Sequence, residues 1–157
     1  EPPPNNCDVC WLPGGYPELH AERLSGAASF MAGLRDFAGR APVHGECGGY
    51  MTLGTSLEDA DGRSWPMAGL LPVATSYAER RMQLGYRVAR LSADTAIGPK
   101  GSTVRGHEFH YATVVGERTG EPFALTGNAY GEALGPSGHR QGRVSGSYFH
   151  AIARAGE

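Results

Sequence analysis

The sequence has no apolar run of the ~20 residues that a transmembrane helix needs and no signal-peptide pattern, so neither a membrane span nor a secretory leader is expected. Cysteine is scarce. Three thiols, an odd number without framework spacing, exclude a disulfide-built scaffold and suit the reducing cytoplasm. An excess of one charge is also missing. With a formal net charge of −2, no Arg/Lys stripe and no aromatic platform for bases, nothing suggests a nucleic-acid partner. No repeat recurs, and Gly98-Pro-Lys-Gly-Ser lacks the spacing of a phosphate-binding P-loop, so any ATP chemistry is expected outside these residues. There is no initiator Met, and Glu1-Pro-Pro-Pro-Asn-Asn reads as the interior of a longer protein.

What is present is one domain's worth of chain, 157 residues, with 24 glycines and 11 prolines punctuating apolar runs as turns. The stretch that organises it is Ala41-Pro-Val-His-Gly-Glu-Cys-Gly-Gly-Tyr-Met51. A short apolar run leads to Cys47, bracketed by Gly45, Gly48 and Gly49, and a helix-like segment follows from Gly49 to Leu57. Strand, sharp turn and helix with a reactive atom at the apex is the pattern of a nucleophile elbow. Small neighbours are needed because the backbone there is strained and crowded. A helix N-terminus is expected to favour the thiolate and lower the thiol pKa below its free value of about 8.5. An isolated cysteine is more often a small buried residue; the glycine bracket argues for the nucleophile.

Upstream, Cys7 to Leu12 reads as a buried strand stopped by Pro13-Gly14-Gly15, whose consecutive glycines leave backbone N–H groups open to an anion. Cys7 and Cys10, three apart on a strand, face opposite sides and are not expected to act as a dithiol. Pro17 to Phe37 reads as one or two helices, with Leu19, Leu24, Met31, Leu34 and Phe37 at helical spacing and Gly39 as the C-cap. Downstream, Arg80 to Leu91 and Ser102 to Val115 read as strands, with Gly106 a bulge or a point of close approach. His107 and His110 then face opposite sides, so the pair does not hold a metal, and no metal site is expected. Gly138 to Gly142 reads as a turn leading into Arg143–His150, a hairpin that ends in a histidine.

Four stretches together resemble a known family. They are Leu12-Pro-Gly-Gly-Tyr-Pro-Glu-Leu-His-Ala21; Gly45-Glu-Cys-Gly-Gly-Tyr-Met51; Leu84-Gly-Tyr-Arg87 with Arg105-Gly-His-Glu-Phe-His-Tyr111; and Ser147-Tyr-Phe-His150. The chain is similar to the glutamine amidotransferase domain of cobyrinic or hydrogenobyrinic acid a,c-diamide synthases, within the class I, triad-type glutaminases. The resemblance implies an α/β fold: a flavodoxin-like sheet with flanking helices and an antiparallel extension, N-terminally truncated. It implies that residues 1–157 form one glutaminase domain, and that a P-loop synthetase domain carrying ATP and Mg²⁺ lies outside this chain. The substrate would be glutamine, the ammonia acceptor a corrin shared with the synthetase domain, and the assembly a homodimer.

On that resemblance Cys47 is the nucleophile, His150 at the end of the last strand is its base, and backbone N–H groups of Gly48 and of Gly14 or Gly15 form the oxyanion hole. The glutamate usual two residues after the histidine is replaced by Ile152, leaving Glu46 and Glu108 as candidates to orient His150. His107, Glu108 and His110 stand as either acceptor-side or packing residues. Arg80, Arg81 and Arg105 are either carboxylate contacts or solvated surface. A related tetrapyrrole amidase, for nickel-sirohydrochlorin or cobyric acid, and an inert module with the same fold are the alternatives.

Overall fold

Residues 1–155 are described by the computed structural model; the last two of the expected 1–157 domain lie outside it. The chain begins with β1 (Cys10–Leu12), a 3-10 turn at Pro17–His20, α1 (Ala21–Ser25) and α2 (Ala28–Arg40), then β2 (Val43–Glu46) and α3 (Gly48–Leu53). Three short strands follow: β3 (Ser56–Glu58), β4 (Ser64–Pro66) and β5 (Ala74–Ser76). Two long ones come next, β6 (Gln83–Leu91) and β7 (Thr103–His110), before β8 (Thr113–Val114), β9 (Ala124–Asn128) and β10 (Ala133–Ser137). The chain closes with β11 (His139–Gln141), β12 (Val144–Ser147) and β13 (Phe149–Arg154).

The strands make three sheets, ordered β1-β2-β12-β11, β10-β9-β6-β7-β13 and β4-β3-β5-β8. In the first, β1 and β12 flank β2 in parallel, and β11 returns antiparallel. Its two central strands are buried at every position, as parallel strands covered on both sides must be. Met31, Leu34 and Phe37 of α2 and Tyr50, Met51 and Leu53 of α3 belong to the core that includes Val43 and Val144. The second sheet is antiparallel throughout. One face packs Ala89, Leu91, Val104, Phe123 and Phe149 together; Leu84 and Tyr86 stand exposed on the other.

The expected α/β architecture with an antiparallel extension is therefore present, with four local corrections. The stretch from Pro17 to Phe37 holds two helices, within expectation, but the first starts only at Ala21, and Leu19 in the preceding 3-10 turn is 68% exposed, outside the stripe. Helix α2 runs past Gly39 to Arg40 and stops at Ala41, which is extended. The cause is Pro42, whose ring disfavours the α region in the residue before it. The elbow helix ends at Leu53 because Gly54 is extended and Thr55 N–H donates to Val73 O at 2.7 Å, which starts β3. Finally, the segment before His150 is not one hairpin arm. β12 leaves the first sheet at Ser147, and after Tyr148 the chain enters the second sheet as β13, so His150 lies near the start of the last strand. Gly106 is a point of close approach: a Cβ there would collide with His150 O, while the bulge falls in β13 between Ala151 and Ala153.

Candidate active site

Cys47 is the only non-glycine among the described residues with positive φ, at φ +48° and ψ −103°. Such a conformation costs on the order of 1–3 kcal/mol and persists only where the surroundings enforce it. Here they do. Cys47 N–H donates to Ser147 O at 2.8 Å, and its carbonyl accepts from Met51 N–H at 3.0 Å, opening α3. The glycine bracket is explained by crowding: a Cβ on Gly45 would lie 2.6 Å from the carbonyl carbon of Gly49, and one on Gly49 would collide with Leu12 O. The elbow is thus wedged between β1 and β12.

The Pro13–Gly15 turn closes over the same point. A Cβ on Gly14 would lie 2.7 Å from His150 Cε1, and one on Gly48 would lie 2.8 Å from Gly15 N. Gly49 N–H is committed to Pro13 O at 3.1 Å. The nearby Gly48 N–H favours the Cys47 thiolate. A cavity of ≈ 680 Å³ opens here, lined by Gly14, Gly15, Cys47 and His150 together with Glu18, Tyr77, Phe109 and His110. All the residues expected at the site are therefore brought together.

One detail differs from expectation, and a second narrows an open choice. Burial, rather than the helix terminus, dominates the thiol: it pushes Cys47 up to about 11, with the charges of Glu18 and Glu46 adding to the rise and Gly48 N–H opposing it. Helix α3 spans only Gly48–Leu53, too short to offset desolvation of the thiol of a residue that is 7% exposed. The resting group is a thiol whose proton must be taken by a base. His150 is suited to that. Burial lowers its pKa, with Glu46 pulling the other way and His107 adding to the fall, so the ring is neutral near pH 7.

The second detail is the orienting carboxylate. Glu46 Oε2 lies 3.7 Å from His150 Nδ1, and Glu46 Oε1 accepts the Ala151 N–H at 2.9 Å, tying β2 to β13 beside the imidazole. Glu108 is excluded from that position. It pairs in register with Phe149, on the sheet face opposite His150 and His107, and is bound to Arg87 Nε at 2.8 Å. His107 stacks on His150 with centroids 4.9 Å apart, while His110 stacks on Tyr148 and bonds to Ala112 O. Ile152, at the position usual for a glutamate, is 63% exposed beside the bulge. Glu18 and Tyr77 were not expected at the site. Glu18 lies inside the Pro-Gly-Gly-Tyr-Pro-Glu-Leu stretch, which was a signal for it; Tyr77 follows β5 with none.

The family model for the CobB/CobQ-like glutamine amidotransferase domain matches residues 1–157. The chain belongs to this family. Among curated relatives, a hydrogenobyrinate a,c-diamide synthase of Mesorhizobium japonicum is 56% identical over 155 residues, covering 99% of this chain and 35% of the relative. One from Agrobacterium fabrum is 56% identical over 156 residues, covering 99% and 36%, and one from Rhodobacter capsulatus is 52% identical over 151 residues, covering 96% and 34%. The chain thus spans about a third of the length of the relatives it matches. A solved structure described as a glutamine amidotransferase superposes with a TM-score of 0.57 at 17% identity, over 93% of this chain and 71% of that one. This likeness supports the fold of the amidotransferase domain.

Proposed function

We propose that this amidotransferase domain hydrolyses glutamine and passes the ammonia to an ATP-dependent amidation of the a and c carboxylates of hydrogenobyrinic or cobyrinic acid, in cobalamin biosynthesis. The observation that carries the reading is Cys47, held in strained geometry at the elbow and sharing one cavity with His150. The names of the relatives favour the hydrogenobyrinate acceptor over the nickel-sirohydrochlorin and cobyric acid alternatives.

In this mechanism neutral His150 takes the Cys47 proton as the sulfur attacks the side-chain amide carbon of glutamine. Glu46 holds the imidazole in place and stabilises the imidazolium that forms, the role of the third member of a triad. Negative charge developing on the amide oxygen is received by Gly48 N–H and an N–H of the Gly14–Gly15 turn; losing one such donor typically costs about 3–4 kcal/mol of transition-state stabilisation. The tetrahedral adduct then breaks its C–N bond as His150 returns the proton to the departing ammonia. Water, deprotonated by the same ring, hydrolyses the glutamyl thioester to glutamate.

ATP and Mg²⁺ would act on the synthetase part of a full-length enzyme, together with the corrin acceptor. A cytoplasmic homodimer completes the proposal. The free thiols support the compartment, and no described helix is long and apolar enough to cross a membrane. The test uses the full-length enzyme, wild type against Cys47→Ala, with glutamine and separately with ammonium as nitrogen donor. The expected result is loss of glutamine-dependent amidation with ammonium-dependent amidation retained. Glutamine-dependent turnover that survives the substitution would make the domain an inert module.

A further inference from the structure

One carboxylate oxygen in the cavity has no hydrogen-bond partner among the described residues. Glu18 sits in the 3-10 turn after Pro13–Gly15, where its neighbours Tyr16 and Leu19 are 70% and 68% exposed. Its own side chain turns inward instead. Oε2 is buried, without a hydrogen-bond partner among the described residues, and no described cation pairs with it. Burying an unpaired carboxylate oxygen is costly, and the turn's exposed surface offered a solvated alternative. The other carboxylate near the thiol differs: Glu46 accepts the Ala151 N–H through Oε1, and its Oε2 stands 3.7 Å from His150 Nδ1. Glu18 faces the same cavity as Cys47 and Tyr77; its carboxylate meets the Tyr77 hydroxyl and leaves Oε2 open, and its charge is felt by both the thiol and the phenol.

An acceptor-only group left open in a cavity of ≈ 680 Å³ calls for a ligand that brings N–H donors and positive charge. We propose that Glu18 is an ammonium-binding subsite that seats the α-amino group of the amino-acid substrate while its side-chain amide reaches Cys47. This rests on the glutaminase reading and adds to it the group that selects an α-amino acid over a simple carboxamide. The same contact activates the nucleophile. In the empty cavity the charge of Glu18 opposes ionisation of the thiol. A bound ammonium neutralises that charge, so Cys47 yields its proton to His150 most readily when an α-amino substrate is in place. A thiol that stays protonated in the empty cavity is protected from alkylation and oxidation.

The experiment compares glutamine with glutaramate, the same carboxamide lacking the α-amino group, in full-length wild-type enzyme and in Glu18→Gln and Glu18→Asp. Wild type should prefer glutamine by at least about 10²- to 10³-fold in kcat/KM, the usual penalty when a buried charge is left without its partner. Glu18→Gln should reduce that preference to within about tenfold, almost wholly through glutamine, and Glu18→Asp should restore most of it. Iodoacetamide should alkylate Cys47 faster in Glu18→Gln than in wild type at pH 8, at an unchanged melting temperature, which separates the effect from loss of folding about the buried thiol. A wild-type preference that persists in Glu18→Gln, with glutamine turnover still dependent on Cys47, overturns the subsite alone. Absence of any Cys47-dependent glutamine turnover in wild type overturns the glutaminase reading and the subsite with it.

Discussion

The two sheets that meet at Cys47 are built on different principles. The parallel sheet is closed by backbone contact: β2 and β12 are buried throughout, and Gly45 and Gly49 let the elbow, β1 and α3 approach without side chains between them. The antiparallel sheet packs one face only and leaves Leu84 63% and Tyr86 71% exposed on the other. Cys47 stands on the first and His150 on the second, joined covalently through Tyr148 and laterally by the Glu46 carboxylate on Ala151 N–H. An atom that must be held in a strained geometry is placed where the chain is most crowded. His150 rides on a one-sided sheet, where the cavity reaches it.

The contrast can be broken at three places. The largest effect is expected at the elbow. Gly49→Val should cost about 3 kcal/mol or more, because its side chain would meet Leu12 backbone that belongs to a paired strand and cannot move aside. Chemical denaturation should show a lowered midpoint or no folded protein. A stability within 1 kcal/mol of wild type would mean that the elbow is not closed by backbone contact.

Next is acid. His44 in β2 and His139 in β11 are both held down to about 4, chiefly by burial, so both are neutral in the folded protein. The unfolded chain protonates them near 6.5. Their contribution is complete above that pH and is lost as pH falls toward 4, up to about 3 kcal/mol from fully buried His44. Melting temperature measured from pH 7 to 4 should fall through this window. A flat profile would show that the parallel sheet is not sealed around these rings.

The smallest of the three is Glu46→Gln, which keeps an oxygen for Ala151 N–H but removes the charge beside His150. Glutamine-dependent kcat should fall about 10- to 100-fold. Since Glu46 raises the His150 pKa, the acid limb of kcat/KM should move to lower pH. A fall in activity with an unmoved acid limb would reduce Glu46 to a structural tie.

The elbow was legible from residues 41–51 because crowding is a local property and glycine records it directly. So was the opposition of His107 and His110, which needs only the strand period. Choosing Glu46 over Glu108 was not: it depends on the register of β13 against β7, a pairing more than forty residues apart in sequence. The thiol pKa was misjudged for a related reason. A helix N-terminus is visible in sequence, whereas the desolvation that outweighs it comes from residues such as Tyr77 and Tyr148 packed from distant elements. Helix ends erred at Ala41, where Pro42 stopped α2 one residue beyond Gly39, and at Gly54, where pairing with β5 took residues that propensity alone would leave helical.

The central claim is that residues on two sheets act as one nucleophile–base pair. The most direct test is covalent capture by 6-diazo-5-oxo-L-norleucine in the full-length enzyme, read by mass spectrometry and followed in time, wild type against His150→Ala. The account predicts a single adduct on Cys47, none on Cys7 or Cys10, and a capture rate at least about 100-fold slower without the imidazole. An adduct on another cysteine, or equal rates in the two proteins, would contradict it.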